Sequence, residues 1–283
     1  MKKGMVVLLS LLLLVSCFGF TASAEELSAA VTVTIADQGA LKLIQQTVTV
    51  TDCDADNALT INDALYAAHE AKYEGGAAAG YATAQTQYGV SMVTLWGNTS
   101  GNFGYYLNNA SAWSLVDPVK DGDTVYAYVY TDGTTFSDMY TYFDAAAVAT
   151  EAGKAVTLTL SGAGFDQNWS PIVVPVAGAT ITVDGKATEF VTDTEGKATV
   201  TLEAGVHTVS ATSATQVLVP PVCVATVTAA KEEPKPENQE PEQEPAPSPE
   251  KNPQTGVEAS LLVVVLGVAF AAMTLFGGKA DAK

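Results

Sequence analysis

The chain has 283 residues, a formal net charge of −18, and 13 basic residues, all of them lysine. An acidic chain without arginine argues against nucleic-acid recognition and against bidentate capture of phosphate or carboxylate. Two histidines and three cysteines leave little material for zinc, haem or thiol chemistry.

Taken in order, the first 24 residues read as a secretory leader. Lys2 and Lys3 form a positive start, Met5 to Phe20 an apolar stretch, and Ala22-Ser23-Ala24 a small-residue cleavage site, leaving Glu25 as the mature N-terminus. Leu14-Val15-Ser16-Cys17 offers a second reading, a lipobox that would lipidate Cys17. The mature body then opens with alternating AVTVTIA, Ala30 to Ala36, and TVTVT, Thr47 to Thr51, each predicted to be a strand.

The segment DCDADNALTIND breaks this β pattern. Asp52, Asp54 and Asp56 fall at positions 1, 3 and 5 of a twelve-residue loop, the Ala58 carbonyl at position 7 and Asp63 at position 12. The spacing resembles an EF-hand or dockerin calcium loop, with Asn57 where glycine is usual and Asp63 where glutamate is usual. The resemblance implies calcium held by Asp52, Asp54, Asp56, Ala58 and Asp63. The same residues also read as a polar strand-to-helix turn, with Thr60 capping a helix and Asp63 at its third position. Both readings stay open on the sequence. The helix is expected from Ile61 to Tyr73, burying Ile61, Ala64, Leu65 and Ala68, with His69 structural or solvated beside them.

From Met92 to Tyr130 a strand ending at Trp96, a Tyr-Tyr strand, a loop through Trp113 and a final Val/Tyr-alternating strand follow. The string Asn62-Asp63-Ala64-Leu65, Trp96-Gly97, Gly104-Tyr105-Tyr106-Leu107-Asn108-Asn109 and Asp121-Gly122-Asp123-Thr124-Val125 resembles the transcobalamin-like C-terminal β-domain family over about Ala30 to Thr131. That likeness implies an α+β domain with a ligand face, for which Trp96, Tyr105, Tyr106, Asn108 and Trp113 are the candidates. It also implies a corrinoid, cobalamin, as one ligand class. The competing reading makes most of these aromatics core.

Thr131 to Thr135 looks like a junction. Beyond it, short alternating strands are expected at Met139–Phe143, Ala155–Ser161, Ala179–Val183, Glu189–Thr192, Ala198–Leu202, Val206–Thr212 and Val222–Val227, spaced by glycine turns, which together predict a β-sandwich. Asp193-Thr194-Glu195-Gly196 and the strand start Gly205-Val206-His207-Thr208-Val209 resemble the immunoglobulin-like or carboxypeptidase-regulatory-like modules of bacterial surface proteins. Such modules are spacers or adhesive units. Cys53 and Cys223 fall in different expected domains and are expected to be unpaired.

Lys231 to Lys251 is rich in proline and glutamate and would extend to roughly 65 Å as polyproline II. Asn252-Pro253-Gln254-Thr255-Gly256 follows, then an apolar run from Ala259 to Phe276 and the cations Lys279 and Lys283. This order resembles the LPxTG cell-wall sorting signal of Gram-positive surface proteins, here in an NPxTG form. The likeness implies that a sortase cuts between Thr255 and Gly256 and joins Thr255 to peptidoglycan. An ordinary C-terminal membrane anchor is the plainer alternative.

The expected organisation is therefore a leader (1–24), an α+β domain (25–132), an immunoglobulin-like β-sandwich (133–230), a wall-spanning linker (231–251) and a sorting signal (252–283), mainly β with one helix. No histidine sits in a hydrolase motif, so no enzyme is expected. The expected role is a non-catalytic, wall-attached protein that displays a calcium-stabilised β domain to an extracellular glycan, protein or corrinoid. The alternative is a cell-surface protein that captures corrinoids or other small nutrients.

Overall fold

Strand β1 (Ser28–Asp37) turns through Gln38-Gly39 into β2 (Ala40–Thr51). Both turn residues take positive φ, +48° and +80°, the geometry that lets a two-residue turn match the twist of its strands. The coordinates are a computed structural model describing residues 27–230. The expected leader, the Pro/Glu tract, the expected sorting pentapeptide and the apolar run Ala259 to Phe276 lie outside the described residues. Among the described residues no helix is long and apolar enough to cross a membrane.

After the acidic loop comes helix α1 (Ile61–Lys72), then a one-turn helix α2 (Ala77–Gly80), the hairpin β3 (Tyr81–Thr86) and β4 (Gly89–Leu95), β5 (Phe103–Leu107), the short β6 (Ala110–Ser111) and β7 (Thr124–Val129). The main sheet runs β2-β1-β7-β5-β6. Its one parallel pair, β1 with β7, needs a long crossover, and the chain between them supplies it as α1 and the hairpin. Alternation decides the faces. Val31, Val33 and Ile35 of β1 and Val125, Ala127 and Val129 of β7 point into one core with Ile61, Ala64, Leu65 and Ala68 of α1. Tyr126 and Tyr128 of β7 point the other way.

The second module adds β8 (Met139–Phe143), β9 (Ala147–Glu151), β10 (Ala155–Phe165), β11 (Pro171–Pro175), β12 (Thr180–Val183), β13 (Lys186–Val191), β14 (Lys197–Thr201), β15 (Gly205–Thr212), β16 (Leu218–Val219) and β17 (Cys223–Thr228). One sheet runs β11-β10-β8-β16 with β14 also on β10; the other runs β13-β12-β15-β17-β9. Leu158 and Leu160 of the first sheet and Ile181, Val209 and Ala225 of the second share one core, which makes the module a β-sandwich. The fold is thus mainly β, an α+β module followed by an immunoglobulin-like sandwich.

Several expected boundaries move. α1 ends at Lys72 with Tyr73 as its C-cap, one residue before the expected end. β2 begins at Ala40 rather than Thr47, because its outer residues are polar and the alternation is hidden. Five strands were not expected: the alanine-rich β3, the two-residue β6 and β16, β9, whose partner β17 lies far along the chain, and β11, which pairs with its neighbour β10. A third buried cluster, Ala36, Tyr126, Tyr128, Tyr140 and Val219, draws residues from both modules. The described residues accordingly fall within one compact unit.

Candidate functional site

The acidic loop is shaped first by its own backbone. Asp52 accepts from Asp56 N at 3.2 Å and Asn57 N at 2.9 Å, and Asp56 accepts from Ala58 N at 2.8 Å. Ala55 and Asn57 take φ of +60° and +66°. Asparagine tolerates that region better than most residues, so Asn57 does here what glycine does in the loops it resembles. Asp63 is fully buried and closes a capping box with Thr60. Its Oδ1 accepts from Cys53 N at 2.8 Å; its Oδ2 accepts from Thr60 N at 2.9 Å and Thr60 Oγ1 at 2.6 Å. The next helix donors are met by a loop of the same module: Ile61 N donates to Asp117 O and Asn62 N to Leu115 O. The turn reading of the sequence therefore describes the helix start.

Three of the five expected ligand residues also converge. Carboxylate oxygens of Asp52, Asp54 and Asp63 lie within 4.8 Å of one another. The carboxylate of Asp56 is not in that group. Burial, then Asp63 and Asp56 nearby, raises the Asp54 carboxyl above its ordinary range. Burial acts upward on Asp52 too, but the backbone N–H groups of Asn57 and Asp56 outweigh it and leave the carboxyl low. A cleft of about 330 Å³ opens beside Asp54, lined also by Cys53, Asn62, Tyr66 and Tyr81. Tyr81 is buried and donates to Asn62 Oδ1 at 2.9 Å, and Asn62 Nδ2 in turn donates to Asp54 at 3.1 Å.

The expected ligand-face residues do not share one surface. Trp96 is half-buried at φ +49°, its ring 5.1 Å from Tyr73 and 5.1 Å from His69. Tyr105 packs on the first core, whereas its neighbour Tyr106 points to the opposite face and stacks on Tyr140 at 3.7 Å. Asn108 lies in a turn, donating to Asp123 and accepting from Thr124 N. Trp113 stands in solvent, 94% exposed. The two-residue period of a strand requires Tyr105 and Tyr106 to face apart, but it does not say what each face packs against.

His69 is fully buried, with Nδ1 2.6 Å from Leu65 O and Nε2 accepting from Trp96 N at 3.0 Å. Burial holds it below the ordinary histidine range, so it is neutral and structural. His207 pairs with Asp184 at 2.8 Å, which raises its affinity for a proton, while Nε2 sits 3.1 Å from Glu203 O. Each imidazole thus has both nitrogens engaged and neither is free to activate a nucleophile. Cys53 and Cys223 are free thiols. Burial, then Asp63, pushes Cys53 up to about 12, and burial, then Asp144, pushes Cys223 up to about 11, so neither is a ready thiolate.

Two features escaped the sequence. A cleft of about 500 Å³ lies where the modules meet, lined by Thr32, Thr34, Gln45, Tyr126, Tyr140 and Asp144 among others. At the β10–β11 turn, Phe165 and Trp169 are exposed with ring centres 6.2 Å apart. The signal was a phenylalanine and a tryptophan flanking Asp-Gln-Asn, but that turn carries no glycine to mark it.

No family model and no curated protein matches the chain. Among solved structures, the fibronectin(III)-like modules of Clostridium thermocellum CbhA are 10% identical, with 48% of this chain and 83% of that one covered and a TM-score of 0.26. The N-terminal four Ig domains of Dscam1 are similar at 13% identity for isoform 9.44, covering 52% of this chain and 32% of that one, TM-score 0.20. For isoform 7.44 the identity is 11%, covering 72% and 46%, with a TM-score of 0.20.

Proposed function

We propose that the chain is a non-catalytic, exported surface protein, joined to peptidoglycan through Thr255, that holds its two β modules away from the cell to bind an extracellular partner. The observation that carries the reading is one of order: a Pro/Glu tract, Asn252-Pro253-Gln254-Thr255-Gly256, an apolar run and terminal lysines follow directly on the folded body. The body supports it with two jointed β modules and two histidines engaged in structural bonds. The leader at residues 1–24 would export the chain, and a sortase would exchange the Thr255–Gly256 bond for one to a peptidoglycan amine.

The proposal extends to calcium at Asp52, Asp54 and Asp63. Asp54 Oδ1 is unbonded to protein donors, and lone pairs remain on Asp52 and on Asp63 Oδ1, so three oxygens fit a hard cation. Calcium takes about six to eight oxygens, so water would complete the shell and affinity would sit near the millimolar extracellular regime.

The test is a Thr255→Ala substitution in the producing bacterium, followed by wall digestion. The expected result is that the peptidoglycan-bearing form vanishes and the protein moves to the membrane fraction. Undiminished release from digested walls would overturn the proposal.

A further inference from the structure

Beyond Gly162 the second module sends out a two-stranded ribbon, in which β10 pairs only with β11. The turn between them is a three-residue loop, 167–169. Asp166 N donates to Ser170 O at 2.9 Å, and Trp169 N donates to Asp166 O at 3.1 Å. The Asp166 carboxylate holds the loop from within, Oδ1 accepting from Asn168 N at 2.8 Å and Ser170 N at 2.8 Å. In hairpins of this length the last loop residue is left-handed and is normally glycine. Here it is Trp169, at φ +61°.

The contrast with Trp96 gives this meaning. Trp96 also has positive φ, but its ring is half-buried against Tyr73 and His69, so packing offsets the backbone cost. Trp169 has no such compensation: it is 81% exposed, beside Phe165 at 58%. A bulky residue at a left-handed turn position, presented to water on a loop fixed by hydrogen bonds, breaks a local folding rule without stabilising the fold. Such violations concentrate at functional sites.

The ribbon also indicates how it recognises its partner. Asp166–Ser170 and Leu160–Val176 are bonded pairs, so in this register Gly164–Ile172 and Gly162–Val174 are bonded too. Pro171, Val173 and Pro175 then face outward. Two of those three positions have no N–H, so β11 cannot accept an added strand. Recognition falls to side chains. Beside the two rings stand the exposed amides of Gln167 and Asn168, uncharged groups that both donate and accept. The one acid of the loop, Asp166, has Oδ1 committed to the turn.

We infer that Phe165 and Trp169, with the Gln167 and Asn168 amides, form a binding tip for a neutral oligosaccharide. The aromatic faces would take the C–H faces of pyranose rings and the amides their hydroxyls. The inference rests on the reading of the body as a displayed binder and moves the contact from the first module to the second.

The experiment is a titration of the full-length chain against neutral oligosaccharides, with Trp169→Gly, Trp169→Phe and Trp113→Ala variants. The wild type is expected to bind at least one of them. Trp169→Gly should weaken binding about tenfold while keeping or raising the melting temperature, because glycine adopts the turn without strain. Trp169→Phe should retain most of the affinity, and Trp113→Ala all of it. The inference fails if no neutral oligosaccharide binds, or if Trp169→Gly binds as the wild type does. It also fails if Trp113→Ala alone abolishes binding, a result that would leave the displayed-binder reading standing on the first module. Wall attachment is tested separately at Thr255.

Discussion

Asp63 shows how much one buried carboxylate can organise. It accepts three protein donors, two from Thr60 and one from Cys53, and so ties the end of the acidic loop to the first turn of α1. Asp63→Ala would strand those donors in a site that excludes water. The expected cost is about 3 kcal/mol, or ~6–12 °C in the melting temperature of a chain this size. Asp63→Asn keeps one acceptor oxygen and should lose less than Asp63→Ala. Thermal melts of the full chain measure both, and a fall of under ~2 °C for the alanine variant would contradict the assignment.

At the scale of the element, the loop from Asp52 to Thr60 carries an imbalance that the helix does not relieve. The N-terminal donors of α1 are already bonded to Thr60, Leu115 and Asp117, so Asp54 gains little from them. Its proton affinity is raised, first by burial and then by Asp63 and Asp56. The sign follows: the folded state holds the Asp54 proton more tightly than the unfolded state does. Stability therefore declines as pH climbs through the ordinary carboxylate range toward the raised value, and the loop is strained at neutral pH. Because Asp54 is largely exposed, solvent screening keeps the effect small. In chelator, Asp54→Asn is expected to raise the melting temperature by ~1–3 °C. Calcium at a few millimolar should stabilise the wild type and leave that variant unmoved. Equal wild-type melting temperatures in calcium and in chelator would remove the cation from the account.

For the whole molecule, the joint between modules is the deciding feature. Tyr106 stacks on Tyr140 with planes 9° apart, Tyr140 Oη donates to Asn109 Oδ1 at 2.8 Å, and Tyr126 Oη donates to Pro220 O at 2.6 Å. Gln45 Nε2 bridges to Ala146 O at 2.9 Å and Val222 O at 3.3 Å. Burial raises the Tyr126 and Tyr140 hydroxyls far above their ordinary range, so both remain neutral donors. A joint with its own buried core couples the modules, and calorimetry of the full chain should show them unfolding in one transition. Tyr140→Ala removes the central ring at a cost of about 3–5 kcal/mol and should split that transition in two. A wild type that already melts in two steps, or a variant that still melts in one, would show that the joint does not couple them.

Much of this was legible in the residues themselves. Alternation located most of the sandwich strands because each buries one face, and Thr60 with Asp63 marked the start of α1, because a capping box is local chemistry. The binding candidates were less legible. Trp96, Tyr105 and Tyr106 looked alike in sequence and went to three different surroundings, while Trp169 went unnoticed in a turn without glycine. The start of β2 was hidden by its polar outer residues, and the parallel β1–β7 pairing was invisible because its two strands lie far apart along the chain. Local hydrogen-bonding groups and hydrophobic period thus determined the fold class and the helix start. Which aromatics are buried, which acids converge, and that two modules share a tyrosine core were decided only by tertiary packing. Those outcomes depend on which faces meet, and the side-chain period of a strand says only that its two faces differ.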